Sequence, residues 1–111
     1  MNYRHAFHAG NHADCLKHAL LLVILDGFKR KPTAFRVLDT HAGRGLDDLA
    51  SDEAQRTGEW LRGAGRLQSV TEGPLAAYVA ALREAGFPRA YPGSPALVRA
   101  ALRPGDMLVC T

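Results

Sequence analysis

The stretch at residues 35–45, Phe-Arg-Val-Leu-Asp-Thr-His-Ala-Gly-Arg-Gly, limits the fold of this chain more than any other. Its apolar start predicts a buried strand over residues 35–38, and the small residues after it predict a tight turn. Asp39 and His41 follow at the carboxyl end of that strand, where open α/β sheets bind their ligands. Gly43 and Gly45 match only part of a nucleotide-binding glycine pattern, so a plain turn out of the core stays the alternative.

The size and the charge of the chain set further limits. A sequence of 111 residues forms one domain. Its 14 basic and 11 acidic residues give a formal net charge of +3, which is compatible with a nucleic-acid partner. The apolar run at residues 19–25 is too short to span a bilayer. Because no secretory signal is visible either, the sequence predicts a cytoplasmic protein with no membrane partner.

The histidine and cysteine content suggests a metal site. The candidate ligands lie near the start of the chain: His5, His8, His12, Cys15 and His18. They run from an irregular arm into a helix without an acidic cluster or a standard zinc spacing, so we predict no metal. The wide separation of Cys15 from Cys110 favours buried thiols in a reducing cytosol, with a disulfide between them as the alternative.

The first eleven residues mix aromatic, basic and imidazole side chains before any helix begins. Tyr3 stands next to Arg4, and such a pair can stack on a base and contact a phosphate. The sequence therefore predicts an arm that contacts nucleic acid, and an arm packed on the domain is the alternative.

Asn11 is a typical N-cap, and the pattern after it predicts a helix over residues 12–29. Apolar residues at three- and four-residue spacing predict one buried face, made of Ala13, Leu16, Leu20, Val23, Ile24 and either Gly27 or Phe28. Lys17 and His18 lie in the early turns of this helix. A basic cluster and then Pro32 end it.

Residues 47–90 predict a helical insertion. Ser51 is a typical N-cap for a first helix that runs to about residue 67, although three glycines weaken it. Trp60 and Leu61 are the predicted anchors of that helix. Pro74 suits the first position of a second helix over residues 74–85, and Gly86 ends it.

The last twenty residues predict one helix and one strand. Ser94 as N-cap and Pro95 as the first helical residue begin a helix that stops at residues 103–105. Residues 107–110 then predict a second buried strand. A strand, a helix and a strand in this order predict two parallel neighbouring strands joined by a right-handed crossover.

Five separated motifs, in order along the whole chain, resemble the RlmJ family. They are Tyr3-Arg-His-x-Phe-His-Ala-Gly-Asn-His-Ala-Asp14, Leu16-Lys17-His18, Leu38-Asp-Thr-His-Ala-Gly-x-Gly45, Arg56-Thr-Gly-Glu59 and Tyr91-Pro-Gly-Ser-Pro95. Members of this family are S-adenosyl-L-methionine-dependent methyltransferases that act on adenine N6 in 23S ribosomal RNA. The resemblance implies an α/β chain with a partial Rossmann-like class I methyltransferase fold, two visible parallel strands and a helical insertion.

By the same resemblance the chain divides into three parts. Residues 1–46 hold the N-terminal arm, the long helix and the first strand of the methyltransferase domain. Residues 47–90 are the helical insertion, which lies near the substrate groove in the family. Residues 91–111 return to the methyltransferase domain with a helix and the second strand.

The resemblance also implies roles for five residues. Lys17, His18, His41 and Ser94 match positions that contact S-adenosyl-L-methionine, the methyl donor. Tyr3 matches the aromatic residue that touches the RNA substrate. The residue types agree with these roles, because Ser94 heads a predicted helix whose N–H groups suit a carboxylate, and Lys17 can pair with the same charge.

Two family features have no match in this sequence. The catalytic Asp/Asn-Pro-Pro-Tyr motif is missing, since no Pro-Pro pair occurs, and the acidic residue that holds the donor's ribose would follow Thr111. We therefore expect the N-terminal portion of a methyltransferase, with no catalytic residue of its own, 23S ribosomal RNA as the partner and no obligate protein partner. A non-catalytic RNA-binding module or an inactive truncated stub is the alternative.

The predicted sheet carries a physical consequence. In the methyltransferase sheet the first strand lies between two neighbours, and this sequence supplies only one of them. An apolar sheet edge would then stay open to pairing with another chain. We expect the isolated 111-residue chain to be marginally stable or to self-associate.

Overall fold

The computed structural model describes residues 5–111, so Tyr3, the predicted RNA-contacting residue, lies outside the described residues. The α-helices in this part of the chain are α1 (His12–Lys29), α2 (Asp52–Thr57), α3 (Glu59–Arg62), α4 (Ala76–Glu84) and α5 (Ser94–Ala101). The strands are β1 (Arg36–Asp39), β2 (Leu46–Asp48), β3 (Ala90–Pro92) and β4 (Met107–Cys110). Short 3-10 turns lie at His5–Phe7 and Ala64–Leu67.

The main sheet contains the two parallel strands that the sequence predicts, but neither is buried as predicted, because every residue of both strands is half-buried or exposed. β1 pairs in parallel with β4, with Arg36 opposite Met107 and Asp39 opposite Cys110. β4 has its predicted bounds, whereas β1 begins one residue later than predicted because Phe35 leads into the strand from the core. α5 connects back to β4 and packs on both strands, as a crossover helix does.

α1 has its predicted bounds, and its predicted cap is confirmed. The Asn11 Oδ1 atom accepts a hydrogen bond of 2.9 Å from the backbone N–H of Asp14. Arg103 fixes the other end, because its guanidinium donates to the backbone oxygens of Lys29, Lys31 and Thr33. Asp106 holds that guanidinium in place at 3.0 Å, and this hydrogen bond lowers the pKa of Asp106 to about 2.

The predicted buried face of α1 is wrong. Five of its residues, Leu16, Leu20, Val23, Ile24 and Phe28, are between 54% and 66% exposed. The helix instead buries Asp14, His18 and Leu25. The run from residue 19 to residue 25 is apolar on every side, so spacing alone does not distinguish the face that packs on α4 and α5.

A second, antiparallel sheet closes the helical insertion and was not predicted. β2 pairs with β3, with Leu46 opposite Pro92 and Asp48 opposite Ala90. The two strands have three residues each and carry aspartates and a proline, which hides the pattern of a strand in the sequence. Because they flank the insertion, their pairing brings its two ends together.

The first helix of the insertion is broken rather than continuous. Ser51 caps α2 as predicted, and its Oγ accepts a hydrogen bond of 3.2 Å from Ala54 N–H. Gly58 then adopts a φ of 61°, a left-handed conformation that separates α2 from α3. Trp60 packs edge-on against the Phe87 ring, as an anchor does. Leu61 is 57% exposed, so the prediction that it anchors this helix is wrong. The second helix begins at Ala76, two residues after Pro74.

The core has two parts that meet along α1. The larger cluster joins the insertion to β3 and α5, and it contains Leu49, Tyr78, Leu82, Tyr91 and Leu97. The smaller cluster, of Leu25, Phe35 and Val98, lies between α1, β1 and α5. Among the described residues, no helix has both the length and the apolar character needed to cross a bilayer.

Candidate functional site

One cavity of about 830 Å³ opens at the carboxyl end of β1. The N-terminal arm, the first turns of α1, the glycine turn after β1, β2 and the start of α5 form its walls. All four residues predicted to bind the methyl donor line it: Lys17, His18, His41 and Ser94. The fold thus brings together residues that are up to 77 positions apart in the sequence, from Lys17 to Ser94.

Asp39, the last residue of β1, connects two walls of this cavity. Its Oδ1 accepts a hydrogen bond of 3.2 Å from the backbone N–H of His41, and its Oδ2 accepts one from Ser94 Oγ. The prediction that Ser94 caps α5 is wrong: Gly93 is the N-cap, and the Ser94 hydroxyl donates to Asp39 instead. A carboxylate is a stronger hydrogen-bond acceptor than a neutral group, which explains why the Ser94 hydroxyl donates to Asp39 and does not cap the helix.

His18 lies in the wall of the cavity and is only 2% exposed. Its Nδ1 is 2.7 Å from Tyr91 Oη, and Tyr91 Oη is 2.6 Å from Tyr78 Oη. Burial lowers the pKa of His18 to about 4, so the ring is neutral at neutral pH. His18 therefore adds no positive charge beside Lys17.

Asp14 is a buried carboxylate at the base of the same wall. It accepts hydrogen bonds from His5 Nε2 at 2.7 Å and from Gly10 N–H at 3.1 Å. Lys17 Nζ lies 3.7 Å from its other oxygen. Burial raises the pKa of Asp14, but the hydrogen bonds from His5 and Gly10 outweigh burial, so that its pKa is lowered.

Asp47 is a second buried acid on the cavity wall, and it is 5% exposed. No described residue makes a hydrogen bond to its carboxylate, whose oxygens are open to the cavity and not fully enclosed. Burial raises the pKa of Asp47, as expected for a carboxylate that lacks compensating partners. In the sequence Asp47 stands in a polar tract, which does not indicate a buried residue. Asp47 lies on the cavity wall because β2 pairs with β3.

The glycine turn and the start of α5 approach each other closely above the cavity. Gly93 N–H donates to Gly45 O at 2.9 Å, and a Cβ at Gly93 would lie 2.7 Å from Arg44 O. Gly43 has a φ of 62° and nothing within 4 Å of the position of a Cβ. Gly43 therefore provides the left-handed backbone conformation that the turn requires, and it leaves space open on the cavity side.

The insertion holds the N-terminal arm in place. Glu59 accepts a hydrogen bond from Asn11 Nδ2 at 3.1 Å and lies 2.9 Å from His8 Nδ1. Thr57 Oγ1 donates to the backbone oxygen of Phe7. The stretch at residues 56–59, singled out as a motif without a role for its residues, thus attaches the arm to α2 and α3.

No group of three or more histidine, cysteine or acidic residues within residues 5–111 is arranged to hold a metal ion. Sequence reasoning missed Asp14 and Asp47, which line the cavity, and Tyr91, which supports it from behind, whereas Asp39 was singled out without its hydrogen-bond partners. Asp14, Asp39 and Tyr91 lie inside the quoted motifs, but their burial and partners depend on the fold.

Comparisons with known proteins identify relatives of this chain. The family model described as ribosomal RNA large subunit methyltransferase D, RlmJ, matches residues 32–111. The chain belongs to the RlmJ family. Proteins named ribosomal RNA large subunit methyltransferase J from Escherichia coli and Haemophilus influenzae are 45% and 42% identical to the whole chain. The chain spans 41% and 42% of the length of these two RlmJ-family relatives.

A solved structure supports the fold of the RlmJ-family chain. A Legionella pneumophila protein described under the family name DUF519 is 28% identical, with a TM-score of 0.81. The similarity covers 92% of this chain and 39% of the Legionella chain. The parallel β1–β4 pair with α5 is therefore part of a Rossmann-like methyltransferase fold.

Proposed function

We propose that this chain supplies the donor-binding part of an S-adenosyl-L-methionine-dependent methyltransferase that acts on adenine N6 in 23S ribosomal RNA. One observation carries the proposal: Lys17, His18, His41 and Ser94 line a single cavity at the carboxyl end of β1. The names of the RlmJ-family relatives support a ribosomal RNA substrate. A ribosomal substrate is consistent with a cytoplasmic location.

The residues of the cavity fit S-adenosyl-L-methionine, which supplies a methyl group on a sulfonium centre when bound. A volume of about 830 Å³ lies within the range of small-molecule sites. Lys17 offers a cation to the carboxylate of the donor. Asp47 lines the cavity, its carboxylate oxygens are not fully enclosed, and no described residue donates a hydrogen bond to them, so an ammonium group of the ligand can reach them.

The residues of this chain bind and orient, and we assign them no proton transfer. Asp39 holds Ser94 and the backbone of His41 in fixed positions, so both walls of the cavity keep their spacing. Residues 47–90 and Tyr3 are proposed to contact the RNA by the family resemblance. Thr57 and Glu59 support this role of residues 47–90, because they hold Phe7 and Asn11 next to the cavity. No Asp/Asn-Pro-Pro-Tyr motif occurs in these 111 residues, so the chain contributes no catalytic residue.

Calorimetric titration with S-adenosylhomocysteine, the demethylated donor, tests the proposal. Lys17→Ala and His41→Ala should each weaken binding about tenfold, because each removes a polar contact to the ligand. Lys31→Ala is the matched control, since Lys31 is exposed and does not line the cavity. Unchanged affinity in both cavity variants, or an equal loss in the control, contradicts the proposed site.

A further inference from the structure

Two tyrosines behind the cavity wall form a hydrogen-bonded row with His18. Tyr91 Oη lies 2.7 Å from His18 Nδ1 and 2.6 Å from Tyr78 Oη. Tyr91 is 0% exposed and Tyr78 is 2% exposed, so water does not compete for these hydrogen bonds. Neither tyrosine lines the cavity, and any effect on a ligand has to pass through His18.

We propose that Tyr91 is a positioning residue that holds His18 as the neutral Nε2–H tautomer and thereby directs one N–H donor into the cavity. A phenol is a better donor than an imidazole N–H, and an imidazole nitrogen is a better acceptor than a phenol oxygen. The Tyr91 hydroxyl therefore donates to His18 Nδ1. With Nδ1 acting as the acceptor, the ring proton lies on Nε2.

The far end of the row supports this direction. In the proposed arrangement the Tyr78 hydroxyl donates to Tyr91 Oη, so its proton has an oxygen atom as acceptor. In the reverse direction Tyr91 would donate to Tyr78 Oη, and the Tyr78 proton would be left with the neighbouring sulfur of Cys15, which is a weak acceptor.

His18 Nε2 is the ring nitrogen left for a ligand. It has no hydrogen-bond partner within the described residues, and the ring forms part of the cavity wall. The charged groups that act on the ring are Asp14 and Asp39, which favour its protonation, and Lys17 and His5, which oppose it. Burial outweighs them, so His18 contributes a neutral donor beside the cationic Lys17.

A neutral N–H next to a lysine suits an oxygen acceptor that carries negative charge. We assign it to the carboxylate of the methyl donor, a step that rests on the proposed function. The tautomer itself is a property of the protein and does not depend on that step. The two statements can therefore fail separately.

Nitrogen-15 NMR of the histidine-labelled 111-residue chain tests the tautomer directly. The five histidines give separate ring signals, and His18→Gln identifies the signal of His18. We expect a protonated Nε2, an unprotonated Nδ1, and no change of that pattern down to about pH 5. A protonated Nδ1 or a mixture of tautomers in the unsubstituted protein overturns the proposal without any variant.

A pair of matched variants separates positioning from packing. Tyr91→Phe removes the hydroxyl that donates to His18, so the His18 signals should change to those of a tautomer mixture. Tyr78→Phe removes an equally buried hydroxyl but keeps the Tyr91–His18 hydrogen bond, so the Nε2–H tautomer should persist. Equal disturbance of His18 in both variants overturns the proposal.

Binding measurements with two probes test the ligand. Tyr91→Phe should weaken S-adenosylhomocysteine binding about five- to tenfold and leave 5′-methylthioadenosine, which lacks the carboxylate, unchanged. An equal loss for both probes overturns the carboxylate assignment. If the unsubstituted chain binds neither probe, the proposed function fails and the carboxylate assignment fails with it, whereas the NMR result still decides the tautomer.

Discussion

Among single residues, Asp14 joins the N-terminal arm to α1 through a charged hydrogen bond with His5. Its carboxylate is buried, whereas its partner His5 is partly exposed. The hydrogen bond from His5 to Asp14 raises the pKa of His5 above 6.5. The stabilisation from His5 is therefore fully present below pH 6.5, its unfolded value, and is lost as the pH rises through the higher folded pKa.

Asp14→Asn should lower the free energy of unfolding by about 1–2 kcal/mol near pH 6, because charged hydrogen bonds to His5 and Gly10 become neutral ones. The difference between the two proteins should shrink as the pH rises to about 9, where His5 is neutral in both. Urea unfolding across this pH range measures it. Asp26→Asn is the control, since Asp26 pairs with Arg30 on the exposed surface. A pH-independent difference contradicts the argument.

The sequence motifs predict the residues that face the cavity better than those behind it. Lys17, His18, His41 and Ser94 stand in recognisable motifs, and all four line the cavity. The hydrogen bond from Tyr91 to His18 joins residues 73 positions apart, and nothing local specifies it. Burial and long-range partners are properties of the packed chain, so sequence reasoning identifies the cavity wall but misses its support.

Among the contacts between elements, the one that joins the insertion to the start of α1 requires a glycine at position 63. A Cβ at Gly63 would lie 2.2 Å from Gly10 O and 2.6 Å from the Asn11 carbonyl carbon. Ala64 N–H donates to Gly10 O at 2.9 Å, so the two backbones are in direct contact here. The N-terminal end of α1, with its cap and its cavity residues, is positioned by this approach.

Gly63→Ala should destabilise the protein by about 2–3 kcal/mol, because the clash is with backbone atoms that cannot rotate away. Gly27→Ala makes the same change in the exposed interior of α1, where nothing lies within 4 Å of the new Cβ. It should stabilise the protein by about 0.5–1 kcal/mol through helix propensity. Thermal unfolding of both variants provides the measurement. Changes of the same sign in the two would contradict the close approach at Gly63.

The elements differ in how far the sequence determines them. α1 and β4 have strong local patterns, with a cap in one case and a bounded apolar run in the other, and their predicted bounds are confirmed. β2 and β3 are three residues long, and their pairing requires that the insertion bring them together. Short strands of this kind are stabilised by contacts distant in sequence, which local propensity does not encode.

Apolar side chains are exposed both on α1 and on β4 of the described molecule. The exposed residues of α1 described above form a stripe that no element in the described part of the chain covers. Beside it, an apolar groove between α1, α4 and α5 is lined by small residues, among them Ala77, Ala81 and Ala100. Met107 and Val109 expose 47% and 44% of their surface on β4. Apolar surface of this extent favours association.

We therefore expect the 111-residue chain to self-associate, with an apparent mass that rises with protein concentration in sedimentation experiments. Leu20→Lys combined with Ile24→Lys places two charges on the exposed stripe of α1 and should shift the chain toward the monomer. Ser69→Lys combined with Thr71→Lys adds the same charge on an exposed turn of the insertion and should leave association unchanged. If the unsubstituted chain is monomeric at every concentration, or if the turn variant dissociates it equally, the apolar stripe does not drive association.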